Sequence, residues 1–141
     1  MKRGTRVAAI AVLAALAATV GAVKASADES RTSAASVKVS LVEFKLTPSV
    51  KHVAAGKVTF AVRNAGKIPH EFVVLRTSAP AAKLPVKGAQ AVETGKVGKI
   101  GQFKPGLTKS LTLTLKPGHY VLICNLFGHY KAGQASDFTV G

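Results

Sequence analysis

The chain has 141 residues, one domain's length, and its 20 Lys and Arg against 6 Asp and Glu give a formal charge of +14. So basic a surface points to acidic partners or anionic surfaces; nucleic acid is disfavoured, because the lysines are scattered and no aromatic–basic block accompanies them. Cys124 is the only cysteine, which excludes an internal disulfide and leaves its thiol inert, paired with another molecule, or put to chemical use.

The first element reads as an address rather than as part of the fold. Lys2, Arg3 and Arg6 precede an alanine-rich apolar run from Val7 to about Val23, and Ala25-Ser26-Ala27 supplies a small-x-small site before Asp28 and Glu29. That pattern predicts a secretory signal peptide over 1–27, cleaved after Ala27, with export to the periplasm or beyond. The competing expectation is an uncleaved anchor, for which the run is barely long enough and only weakly apolar. No cysteine lies near the junction, so a lipoprotein is excluded. Export would remove Lys2, Arg3, Arg6 and Lys24 and no acidic residue, leaving residues 28–141 with a charge of +10.

Residues 28–36 read as a flexible lead-in, and 37–141 as the folded domain. Val37 to Leu41 alternates apolar and polar residues, as a half-buried strand does. The alternation then slips by one, to Val42, Phe44 and Leu46, which indicates a bulge or bend. Val58 to Val62 is a second strand, stopped by Asn64-Ala65-Gly66. Glu71 to Leu75 and Lys99 to Phe103 are weaker strands, separated by a long connection from Ser78 to Gly95 with room for a short helix. Leu111 to Leu115 shows the clearest period of two; Pro117-Gly118 turns it into His119 to Cys124, and Asp137 to Val140 closes the domain. Seven to eight short strands with these turn signals predict an all-β fold, an antiparallel Greek-key sandwich or barrel. If Tyr120 and Leu122 face the core, Cys124 lies on their side of the strand, while His119, Val121 and Ile123 lie on the other.

The loop after that strand carries the chemistry. Cys124, His129 and Gln134 fall at Cys-x4-His-x4-Gln, and His70 stands 54 residues before the cysteine, just after Pro69. Two imidazoles and a thiolate with a weak axial donor are the donor set of a mononuclear blue copper site. One loop can supply three ligands if it curls, which Gly128 and Gly133 permit, and a fourth from a separate strand lets folding fix the geometry. Structural zinc sites use four strong ligands, commonly with paired cysteines, and this chain has neither. Dinuclear copper needs a second cysteine, and a trinuclear centre needs His-x-His elements that are absent. His52 and His119 read as solvated surface. Gln134 is the least determined of the four, since its amide could instead bond the backbone and leave three ligands.

Pro117-Gly118-His119-Tyr120 leading to Cys124, His129 and position 134, together with Asn64 to Gly66 and Pro69-His70-Glu71, resembles the cupredoxins. These are the small blue copper proteins of the plastocyanin and azurin kind. The resemblance runs from about Val37 to Val140. It implies a Greek-key sandwich with copper at one end, single-electron transfer rather than enzymatic turnover, and His129 as the solvent-near ligand. The departure is at position 134, where most of the family has methionine. The sole methionine is Met1, so Gln134 is similar to the axial glutamine of stellacyanins, which carry a disulfide that this chain lacks.

The expected role is a monomeric electron carrier serving acidic redox partners, with no stable membrane insertion after cleavage. A periplasmic copper chaperone or sequestering protein is the alternative, and a metal-free structural sandwich the plainest one. Nitrite reduction would need a second metal site.

Overall fold

The computed structural model describes residues 33–141. The expected signal peptide and the start of the lead-in lie outside them. Two sheets stack as a sandwich, and a small ribbon covers part of one outer face.

The first sheet holds β1 (Ala35–Val42), β2 (Lys45–Pro48), β4 (Gly56–Asn64) and β9 (Thr108–Leu115) in the order β2-β1-β4-β9. The second holds β3 (His52–Val53), β5 (His70–Arg76), β8 (Lys96–Phe103), β10 (Gly118–Ile123) and β11 (Ala135–Val140) in the order β3-β11-β10-β5-β8. The chain passes between sheets from β2 to β3, from β3 to β4, from β4 to β5, from β8 to β9 and from β9 to β10, the repeated crossing of a Greek key. The all-β expectation therefore holds, with two revisions.

First, the sheets are mixed. β1 runs parallel to β4 and β11 parallel to β3, while the remaining pairs are antiparallel. Alternation marks which face a residue takes and carries no information on the direction of its neighbour. Second, the slip after Val42 is a hairpin, with Val42 paired to Lys45 across a turn at Glu43-Phe44. The lead-in is also shorter than expected, because Ala35 and Ser36 pair with Val58 and Thr59.

Alternate residues of facing strands build the core. Val37, Val39 and Leu41 of β1 and Val58, Phe60 and Val62 of β4 meet Phe72 and Val74 of β5, Tyr120 and Leu122 of β10 and Phe138 of β11. Each such side chain contributes roughly 1.5–3 kcal/mol by leaving water. Phe60 is the centre, with ring centroids 5.4 Å from Phe72 and 5.5 Å from Phe138. The tilted and edge-on geometries suit the ring quadrupoles. Tyr120 keeps its hydroxyl satisfied by donating to the Lys116 carbonyl at 2.8 Å.

The parity expected for β10 is present. Tyr120 and Leu122 face the core; Val121 and Ile123 face outward, into a second apolar cluster with Val73, Leu75, Ala81, Leu84, Ala91 and Tyr130. The long connection forms that cover: a single 3-10 turn, Ala81–Lys83, then a ribbon of β6 (Val86–Lys87) and β7 (Gln90–Ala91). Covered on both faces, β5 is buried from His70 to Leu75, which explains its unalternating apolar run.

Candidate metal centre

His70 opens β5 because Asn64 fastens the turn ahead of it. The Asn64 Oδ1 accepts from the Gly66 N–H at 3.0 Å, and its Nδ2 donates to the carbonyls of Ile68 at 2.9 Å and Phe103 at 3.1 Å. Cys124 follows the last residue of β10, and its N–H donates to the Gln134 carbonyl at 3.0 Å, closing the loop between them. Within the loop the Ala132 N–H bonds the Gly128 carbonyl and the Gly133 N–H bonds the Tyr130 carbonyl. Gly128 and Gly133 take φ of 81° and 104°, the left-handed conformations that let the chain curl.

His70, Cys124 and His129 converge, with one ligand atom of each within 4.8 Å of the others. Both imidazoles turn Nδ1 inward. The Cys124 Sγ lies 3.3 Å from the His129 Nδ1 and 3.7 Å from the His70 Nδ1, and the two nitrogens are 3.3 Å apart. Donors at roughly 2.0 Å for nitrogen and 2.3 Å for sulfur around one ion would stand about 3.5–3.7 Å apart in a trigonal plane. The three atoms are already near that triangle. The Glu71 N–H points at the thiol sulfur from 3.3 Å.

Gln134 sits beside them, fully buried. Its Nε2 donates to the Val42 carbonyl at 2.8 Å and reaches the Lys45 carbonyl at 3.5 Å. Carbonyls only accept, so the amide nitrogen must face them and the oxygen must face away. That oxygen, Oε1, is the one buried side-chain N or O atom among the described residues with no hydrogen-bond partner. An orphaned buried acceptor costs about 1–3 kcal/mol, so Oε1 is a polar atom in want of a partner. His70, Cys124 and His129 thus fit one copper ion.

Burial is the main cause of both shifted ligand groups. It pushes the Cys124 thiol above its ordinary value of 9.0, although the Glu71 N–H favours the thiolate. It holds the His129 imidazole below 6.5, aided by the neighbouring His70. Below pH 6.5 the unfolded chain binds a proton that folded His129 resists, and above pH 9.0 the unfolded thiol ionises while the folded one does not. Metal-free protein is therefore expected to be most stable between these limits. Urea midpoints should fall on both sides, and His129→Gln should flatten the limb starting near pH 6.5. A midpoint unchanged from pH 7 to 5 would contradict this assignment.

His52 is exposed on the short β3. His119 lies on the outer side of β10, as expected, but is more engaged than a solvated residue, with Nδ1 2.6 Å from the Thr77 carbonyl and Nε2 3.0 Å from Asp137. Sequence reasoning missed the groups that grip the ligand loop. Asn125 pairs with the Ala91 backbone in both directions, at 2.8 and 2.9 Å. The Tyr130 hydroxyl donates to the Ala81 carbonyl at 2.7 Å and accepts from the Leu84 N–H at 2.9 Å. Their position next to two expected ligands was the available signal. Glu43, whose carboxylate lies 3.2 Å from the His70 Nε2, offered none.

The family model for the cupredoxin-like domain matches residues 7–134 of the chain. The protein belongs to the cupredoxin-like family. Solved cupredoxins share its fold at low identity. Reduced auracyanin from Roseiflexus castenholzii is 21% identical, covering 77% of this chain and 98% of its own, with a TM-score of 0.59. Rusticyanin from Thiobacillus ferrooxidans is 19% identical, over 77% of this chain and 79% of its own, with a TM-score of 0.55. Auracyanin A, described as a "blue" copper protein from Chloroflexus aurantiacus, is 18% identical over 75% of this chain and 98% of its own, with a TM-score of 0.52. Comparison with curated protein sequences finds no match. As a cupredoxin, the chain has the expected fold, with its His-Cys-His cluster at one end of the sandwich.

Proposed function

We propose that this cupredoxin is an exported, mononuclear blue copper protein that carries single electrons, with His70, Cys124 and His129 as equatorial ligands and Gln134 as the axial one. The observation that carries the reading is the near-trigonal set of two Nδ1 atoms and one Sγ; the buried, unpartnered Oε1 of Gln134 supports the axial assignment. When bound, copper supplies a reversible one-electron couple. The protein holds the donors still, so little rearrangement accompanies each change of charge.

The loop end is shaped for encounter. His129 retains 9% exposure where His70 has none, and Phe44, Ile68 and Phe127 stand exposed around that end. The Phe44 ring packs edge-on against His129 at 5.0 Å between centroids. Exposed Lys45, Lys67 and Lys131 flank this apolar rim along the chain. That combination favours an acidic redox partner, steered by charge and seated on the rim. Export rests on the basic, apolar and small-residue pattern of 1–27; no helix among the described residues is long and apolar enough to cross a membrane. We read the carrier as a monomer without enzymatic turnover.

Copper delivery on the same fold would require ligands that a recipient can reach, and all four are buried. That favours the carrier. The deciding experiment is the visible and EPR spectrum of copper-loaded protein, followed by repeated redox cycling. Intense thiolate-to-copper absorption with reversible cycling is expected. A colourless complex would sink the blue-copper reading, and preferential Cu(I) binding with transfer to an apo-oxidase, without cycling, would replace carrier by chaperone.

A further inference from the structure

Glu43 is one of six acidic residues in a chain with 20 basic ones, yet it is placed against the metal cluster. It occupies the β1–β2 turn, and its Oε1 collects three contacts from the β4–β5 turn. The backbone N–H groups of Lys67 and Ile68 donate to it at 2.8 and 3.0 Å, and the His70 Nε2 lies 3.2 Å away. Gly66 makes room for it: a Cβ at that position would overlap the Glu43 carboxylate. His70 itself is 0% exposed, so its outer nitrogen has no access to water and requires a protein partner.

We propose that Glu43 is a positioning residue of the metal site. By accepting the Nε2–H of His70, it fixes the tautomer whose Nδ1 lone pair faces Cys124, and it places a negative charge behind that ligand. An ionised carboxylate only accepts hydrogen bonds, so the proton must lie on Nε2 and the free lone pair on Nδ1. The Lys67 and Ile68 N–H groups donate to that same oxygen, which marks it as an acceptor and suits the ionised carboxylate. A carboxylate hydrogen-bonded to a ligating imidazole raises its basicity and locks its orientation. The added charge favours Cu(II) over Cu(I). This inference rests on the copper reading for its second half only.

Two measurements test it. In metal-free protein, long-range 1H–15N NMR of His70 is expected to show the Nε2–H tautomer, retained in Glu43→Gln, whose amide oxygen can still accept, and lost as a single form in Glu43→Ala. In copper-loaded protein, Glu43→Gln is expected to weaken Cu(II) about tenfold relative to Cu(I), within the range for lost outer partners. That ratio is a rise of about 59 mV in voltammetry. Gly66→Ala, which displaces the carboxylate without removing it, should reproduce Glu43→Ala in the NMR measurement. An Nδ1–H tautomer in the wild type, a tautomer unaffected by Glu43→Ala, or an unchanged potential in Glu43→Gln would overturn the proposal. Wild-type protein that bound no copper would remove the copper reading, and the His70 tautomer would still decide for or against the role of Glu43.

Discussion

Cys124→Ser is expected to abolish the visible absorption of the copper-loaded protein while leaving the sandwich intact. The colour of such a site comes from the thiolate, and a serine hydroxyl at neutral pH is neither ionised nor soft. Copper affinity should fall by more than the 10- to 100-fold typical of an outer partner, because an equatorial donor is lost. The fold has little reason to respond. Serine matches cysteine in shape, its oxygen can accept from the Glu71 N–H that now points at the sulfur, and it can donate to a facing Nδ1. The urea stability of metal-free protein should therefore change by no more than about 1 kcal/mol. Blue colour surviving in the serine variant would show that Cys124 is not a ligand.

Gln134→Met should raise the reduction potential. An amide oxygen is a harder donor than a thioether and favours Cu(II), so the exchange shifts preference towards Cu(I). If the ratio of the two affinities changes ten- to a hundredfold, the rise is roughly 60–120 mV. There is a structural side to this substitution. Gln134 Nε2 ties the loop to the β1–β2 hairpin through the Val42 carbonyl, and methionine has no donor to replace it. Losing that partner should cost about 1–3 kcal/mol, partly offset because the orphaned Oε1 leaves as well. Voltammetry and urea unfolding thus read different atoms of one side chain. An unchanged potential with lowered stability would reduce Gln134 to a backbone clamp.

The His70, Cys124 and His129 cluster could be read from sequence because its chemistry is concentrated. Cys124, His129 and Gln134 share one loop with left-handed glycines, and His70 follows a proline at the start of a strand. Glu43 could not be read this way. It meets His70 only because two turns from different strand pairs come together, and nothing local distinguishes it from a solvated glutamate. The hairpin holding Glu43 was hidden for a related reason, since Glu43-Phe44 contains none of the Gly, Asn or Pro that usually betray a tight turn. β3 has two residues, too few for any period to show. Parallel pairing of β1 with β4 depends on how distant strands meet, which alternation does not encode. The cover formed by the Ser78 to Gly95 connection was invisible as structure, although the outward apolar pair Val121 and Ile123 required something to shield it.

That cover makes the molecule one-ended. In a bare two-layer sandwich, Ile123 would present an open flank one residue from the sulfur; here it is sealed and 0% exposed. On the proposed carrier reading, this is insulation: a collision on the flank would draw no charge, and a bystander would have to find the rim. Selectivity among crowded neighbours then comes from where the protein is closed as much as from where it is sticky.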